Sequence, residues 1–207
     1  MVHAFRKAVL GLAVLLGACA TGPATGPDAR APMIGPTQRL ALPRPADLGR
    51  SVEAAQLITA RRGGDTFVFE GHVSVTPERF TLVGLDTLGR RAMTVTWTDG
   101  GGTDGGGGDA VVEVETAPWL PDGVRPGAML ADLVVLYWPD AVVRKALAPA
   151  GAELVADATS RTVRADGQDV LRARYGWTVG GPWTGTLTYT NLAWGYEIEV
   201  QSQEQGP

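Results

Sequence analysis

The chain has 207 residues, 44% of them hydrophobic and 19% charged, with a formal net charge of −4. That size and apolar content suit one core-bearing domain with a tail, and the acidic balance argues against partners gripped through their phosphates, nucleic acid or an anionic lipid surface. One cysteine, Cys19, leaves no partner for an internal disulfide.

Residues 1–18 read as a bacterial lipoprotein signal. Arg6 and Lys7 form a basic start, and residues 8–16 form an apolar stretch too short to span a ~30 Å hydrocarbon core. Leu16-Gly17-Ala18-Cys19 then has the form of a lipobox, small residues ahead of a cysteine. Cleavage before Cys19 leaves lipid on its sulfur, and the loss of Arg6 and Lys7 takes the charge from −4 to −6. Anchorage then rests on acyl chains, of which two or more hold stably. Ala20 rather than Asp follows the cysteine, so the expected location is the periplasmic face of the outer membrane. Residues 19–46 read as the acylated cysteine and a tether, with Pro23, Pro27, Pro32, Pro36, Pro43 and Pro45 and no apolar periodicity. The folded domain is expected over 47–207.

From about Ser51 the pattern becomes strand-like. Phe67, Phe69, Val73 and Val75 alternate with Glu70, His72 and Ser74. A turn at Thr76-Pro77-Glu78 leads to a strand at 80–83 and a hairpin tip at 85–90. Met93, Val95 and Trp97 share the next inward face. The run 99–109 is nearly all glycine with Asp and Thr; it lacks the Gly-Lys-Ser/Thr ending of a phosphate loop and reads as a flexible hairpin loop. Val112 and Val114 resume a strand, with Glu113 and Glu115 on its wet side.

Pro126 starts a helix whose Met129, Leu130, Leu133, Val134, Leu136 and Tyr137 surround a lone charge, Asp132. Trp138-Pro139 breaks it, and a second short helix over 140–148 turns Val142, Val143, Ala146 and Leu147 inward. Strands follow at 154–158, 161–165, 170–175, 185–191 and 195–201, with Asp166-Gly167 as a hairpin turn. The expected fold is mainly β: a curved antiparallel sheet, or incomplete barrel, with a helical lid insert on its concave face.

Reactive groups are sparse. His72 is the one histidine outside the signal, and a base two residues from Ser74 on the same strand makes no triad. Zinc-type ligand sets are missing. Glu113 with Glu115, and Glu197 with Glu199, are neighbours on one strand rather than carboxylates across a cleft. No enzyme activity, no metal and no cofactor beyond covalent lipid on Cys19 are expected. Tryptophan is plentiful instead: Trp97, Trp119, Trp138, Trp177, Trp183 and Trp194. Each suits a core, and together with an apolar helix over a curved sheet they suit a cavity for a greasy ligand. The candidate lining is Trp97, Trp119, Met129, Leu130, Leu133, Leu136, Trp138 and Trp194.

Residues 82–91, Ala117-Pro118-Trp119-Leu120-Pro121, Leu130-Ala131-Asp132-Leu133, Tyr137-Trp138-Pro139 and 191–196 resemble a family of uncharacterised bacterial outer-membrane lipoproteins, often encoded beside aryl-polyene or fatty-acid-like biosynthesis enzymes. That family is distantly similar to LolB, the outer-membrane lipoprotein receptor, and to its carrier LolA, whose fold is an incomplete β-barrel with helices over an acyl-binding cavity. Thr87-Leu88-Gly89 stands where LolB has Pro-Leu-Gly, and the resemblance implies a membrane-inserting role for Leu88; Thr87 in place of proline and the following Arg90-Arg91 depart from the motif. The resemblance implies a receptor or carrier that takes acyl chains or lipidated cargo and helps place them in the outer membrane. The competing reading is a non-enzymatic accessory lipoprotein docking an envelope complex, and a lipid hydrolase ranks last.

Overall fold

The computed structural model describes residues 30–100, 110–121, 123–176 and 181–206. Cys19 and the lipobox, most of the glycine-rich run and Trp177 lie outside the described residues. Ten strands form one antiparallel sheet: β1 (Val52–Arg62), β2 (Asp65–Val75), β3 (Arg79–Asp86), β4 (Arg91–Thr98), β5 (Val111–Thr116), β6 (Ala152–Ala156), β7 (Ser160–Ala165), β8 (Gln168–Gly176), β9 (Gly185–Asn191) and β10 (Tyr196–Glu204). Their order is β5-β4-β3-β2-β1-β10-β9-β8-β7-β6. Two meanders therefore run outward from the central β1–β10 pair, and the sheet curves without closing. Between the two edge strands the chain makes α1 (Pro126–Tyr137) and α2 (Asp140–Leu147). This is the expected incomplete barrel with a helical insert.

Local chemistry accounts for the turns. Asp166 and Gly167 both adopt positive φ, 51° and 74°, the pairing that a two-residue turn matched to strand twist requires. Proline at the first position starts α1, and Pro139 ends it. The carbonyls orphaned at that C-terminus find donors on the sheet. Arg161 Nη1 donates to Val135 O at 2.6 Å, and the Tyr175 hydroxyl donates to Leu136 O at 2.7 Å. Arg161 Nη2 also reaches Asp140 Oδ1 at 2.7 Å, tying the start of α2 to β7. Val143, Ala146 and Leu147 then bury the inner face of α2.

The sequence reading of a tether over 19–46 needs correction at its C-terminal end. Ile34 and Leu40 are fully buried in the core. Leu40 N donates to Pro32 O at 2.8 Å and Ile34 N to Gln38 O at 3.0 Å, making a small hairpin, and Ala41 N reaches Ala146 O at 3.0 Å on α2. The prolines stiffen this segment while the two aliphatic side chains bury against the domain. A short 3-10 helix, Pro45–Leu48, then delivers the chain to β1.

The interior is divided. At one end Phe80, Trp97 and Trp138, all fully buried, pack ring against ring, with Trp97 and Trp138 centroids 5.4 Å apart and Phe80 5.8 and 6.2 Å from them. The indole N–H groups of Trp97 and Trp138 find no acceptor there, a cost of about 1–3 kcal/mol each that the buried ring area offsets. Trp138→Ala is expected to lower stability by about 3–5 kcal/mol in urea unfolding. A loss below about 1 kcal/mol would show that the cluster is not the anchor of this end.

Candidate functional site

At the other end small residues stand among the inward positions. Along β1 the inward positions run Gln56, Ile58, Ala60 and Arg62, and on β3 Gly84 takes an inward place. A Cβ on Gly84 would sit 3.1 Å from Met93 Cγ, so the glycine lets Met93 lie flat against the wall. A register shift between Gly84 and Leu85 turns both Ala92 and Met93 inward. The result is a cavity of about 900 Å³ between sheet and α1.

Met129, Leu133, Leu136 and Tyr137 of α1 form its roof, at the spacing of one helix face. Phe69, Leu82, Tyr189, Tyr196, Ile198 and Val200 complete the wall. The cavity opens where the β1–β2 turn, the β3–β4 turn and residues 119–121 and 123–125 meet, past exposed Arg62, Asp65, Thr87 and Trp119. Four apolar side chains stand exposed around that end: Leu88 at 76%, Trp119 at 42%, Val68 at 40% and Phe67 at 39%.

The polar groups of the wall are paired with one another. Gln56 Nε2 donates to the Tyr137 hydroxyl at 2.9 Å and to Ser202 Oγ at 3.1 Å, and burial pushes the Tyr137 phenol up to about 12. Tyr137 also stacks on Trp183, centroids 4.1 Å apart. Asp132, on the face of α1 beside the roof, is fully buried. Asn191 Nδ2 donates to Asp132 Oδ1 at 3.0 Å and to Ile34 O at 3.2 Å, and the Tyr196 hydroxyl donates to Asp132 Oδ2. Burial raises the Asp132 carboxyl to about 7, against the opposing pull of donors from Tyr196, Asn191 and Tyr189. One carboxyl thus joins the lid helix to β9, β10 and the N-terminal segment.

The sequence-derived lining divides accordingly. Trp119, Met129, Leu133 and Leu136 line the cavity. Trp97, Leu130 and Trp138 do not; they are core. Trp194 lies outside the lining too, its Nε1 donating to Met33 O at 3.2 Å and its ring beneath the Arg125 guanidinium at 4.5 Å. Leu88 is held out at the β3–β4 tip. Its N–H and that of Arg90 both donate to Asp86 Oδ1, at 2.9 and 2.8 Å, and Gly89 takes φ 74°. Asp86 thereby clamps the hairpin tip that carries Leu88. These donors and Arg90 hold the Asp86 carboxyl below its ordinary range although burial opposes them.

His72 lies on the outer face, Nε2 2.8 Å from Glu70 Oε1, away from the cavity. Glu197 and Glu199 flank Arg61 at 3.6 Å each. Among the described residues no three His, Cys, Asp or Glu side chains could hold a metal ion, and no helix is long and apolar enough to cross a membrane. Sequence reasoning missed Arg62, Arg125, Tyr189, Tyr196 and Asn191, because their roles depend on contacts across strands. The signal that was available is the run of small inward residues, Ala60, Gly84 and Ala92.

Comparisons with known proteins give a family. The family described as "Protein of unknown function (DUF3261)" matches residues 53–204. No curated protein matches the chain. Among solved structures, a DUF1329 family protein from Desulfovibrio piger is similar at a TM-score of 0.41 and 6% identity, over 77% of this chain and 87% of that one.

A buried acid with a raised pKa keeps its proton in the folded chain while the unfolded chain loses it. Asp132 therefore withdraws stability as pH rises from its unfolded value near 3.8 to about 7, and no further above that. Relative to Asp132→Asn, the wild type is expected to lose melting temperature across that window. Parallel melting-temperature profiles for the two proteins would contradict a protonated Asp132 beneath the lid.

Proposed function

We propose, for a chain that belongs to the DUF3261 family, that this protein is a lipid-handling module: it binds acyl chains or lipidated cargo beneath α1 and passes them to a membrane. The observation that carries this reading is the open cavity of about 900 Å³ with its largely aliphatic and aromatic wall. Each methylene moved there from water gains about 0.8 kcal/mol, so a long chain binds tightly without any specific polar contact. That volume lies in the upper part of the range for small-molecule sites.

The exposed rim fits delivery. Leu88, Trp119, Phe67 and Val68 surround the end at which the cavity opens, so a bilayer meeting that end covers their apolar surface and receives the cargo directly. We assign Leu88 the leading contact. An acylated Cys19 on the preceding segment would keep the module at the periplasmic face of the outer membrane, at short range from its acceptor. The binding step needs no reacting group, and we place none in the site.

Ala60→Trp puts an indole into the cavity from β1 without touching the aromatic core. It is expected to weaken binding of a neutral polarity-sensitive dye, Nile red, by more than about tenfold with folding retained by circular dichroism. Undiminished binding would remove the cavity from the function and favour an accessory protein that docks an envelope complex. Leu88→Glu is expected to leave dye affinity unchanged and to slow transfer of a fluorescent fatty acid from protein to vesicles several-fold. Equal transfer rates would return Leu88 to an ordinary hairpin residue.

A further inference from the structure

We infer that the cavity is built for an amphiphile whose hydrocarbon tail ends in an anionic oxygen group, a carboxylate or a phosphate, bound tail inward with its head between Arg62 and Arg125. The inference rests on the lipid-handling reading and adds the ligand class and its orientation.

Inside the cavity the polar groups are already engaged. Gln56 and Tyr137 bond each other, and the Tyr196 hydroxyl is committed to Asp132. A charged head placed there would lose its water without gaining partners. The tail must therefore lead, and the head must stop at the mouth.

Among the described residues, the mouth is where uncompensated charge lies. Arg62 and Arg125 both line the cavity and are exposed. Arg62 Nη1 donates to Gly123 O at 3.2 Å, which leaves most of its fork free and fixes it against the segment carrying Arg125. Arg125 is laid over the Trp194 ring at 4.5 Å, a contact that orients the guanidinium without neutralising it. Neither has a carboxylate within ion-pair distance among the described residues, whereas Arg61 lies between Glu197 and Glu199, and Arg90 is bonded to Asp86.

Asp86 is consumed by Arg90 and two backbone N–H groups, which leaves Asp65 as the opposing rim charge among the described residues. Arg125 is also the N-cap of α1, with no side-chain cap bond and no acid in the first turn, so the helix's positive end adds to its field. On a chain of net charge −4, two forked donors at the entrance of an apolar hollow select anions that carry a tail.

The test compares palmitate, hexadecyl phosphate and hexadecanol, equal in tail and different in head, as displacers of Nile red. It uses the full chain carrying Cys19→Ala, so that no lipid of its own competes. Palmitate or hexadecyl phosphate is expected to displace the dye at a concentration at least about tenfold below hexadecanol; the stronger of the two identifies the head as carboxylate or phosphate. Arg62→Gln with Arg125→Gln is expected to bring all three together by weakening the anions and leaving hexadecanol unchanged. Equal displacement by all three in the unmutated cavity, a comparison that needs no arginine variant to fold, overturns the anionic head while leaving lipid handling intact. A preference that survives the double substitution overturns the assignment to these two arginines. Failure of the dye and all three amphiphiles to bind would remove the lipid-handling reading itself, and this inference with it.

Discussion

The size of the inward-facing side chains is the constraint on which the rest of this molecule depends. A curved ten-stranded sheet encloses more space than its own side chains fill. At one end Phe80, Trp97 and Trp138 fill it solidly. At the other the inward residues include Ala60, Gly84 and Ala92, and the hollow remains. The division lies within single strands: β3 contributes Phe80 to the plug and Gly84 to the void, and β4 contributes Trp97 and Ala92.

The lid is held by the buried Leu130, Ala131, Val134 and Val135, by polar contacts at its C-terminal end and one side, and by the bond from Gln56 to Tyr137 of the roof. Arg161 and Tyr175 satisfy its C-terminal carbonyls. Asp132 joins its flank to Asn191 and Tyr196, and Asn191 in turn holds the carbonyl of Ile34. Met129 and Leu133, which roof the hollow, are only partly buried. Because Tyr196 belongs both to the cavity wall and to the Asp132 network, a ligand that moves that ring acts directly on the lid's attachment.

Most of the architecture was legible in the sequence, because period-two alternation, the Asp166-Gly167 turn and the prolines flanking α1 are local signals. The division between core and cavity was not. Trp97 and Trp119 look alike in sequence, since both a packed interior and a lipid-facing wall demand apolar side chains; only the third dimension sends one to the plug and the other to the rim. Ile34 and Leu40 were lost among prolines that suggested a free tether. Asp132 was visible as a lone charge in a greasy helix, but its partners lie 59 and 64 residues away. Arg62 and Arg125 carry no sequence signal that separates them from ordinary surface arginines; their neighbours' pairing sets them apart.

A hydrocarbon tail bound as proposed reaches the floor of this hollow beneath α1. A crystal structure of the protein with palmitate brominated on its terminal carbon tests it most directly through the anomalous signal of the bromine. That peak is expected inside, among Ile58, Leu82, Met93 and Leu136. A bromine found only on the outer face of the sheet, or an interior without one at saturating ligand, would contradict it.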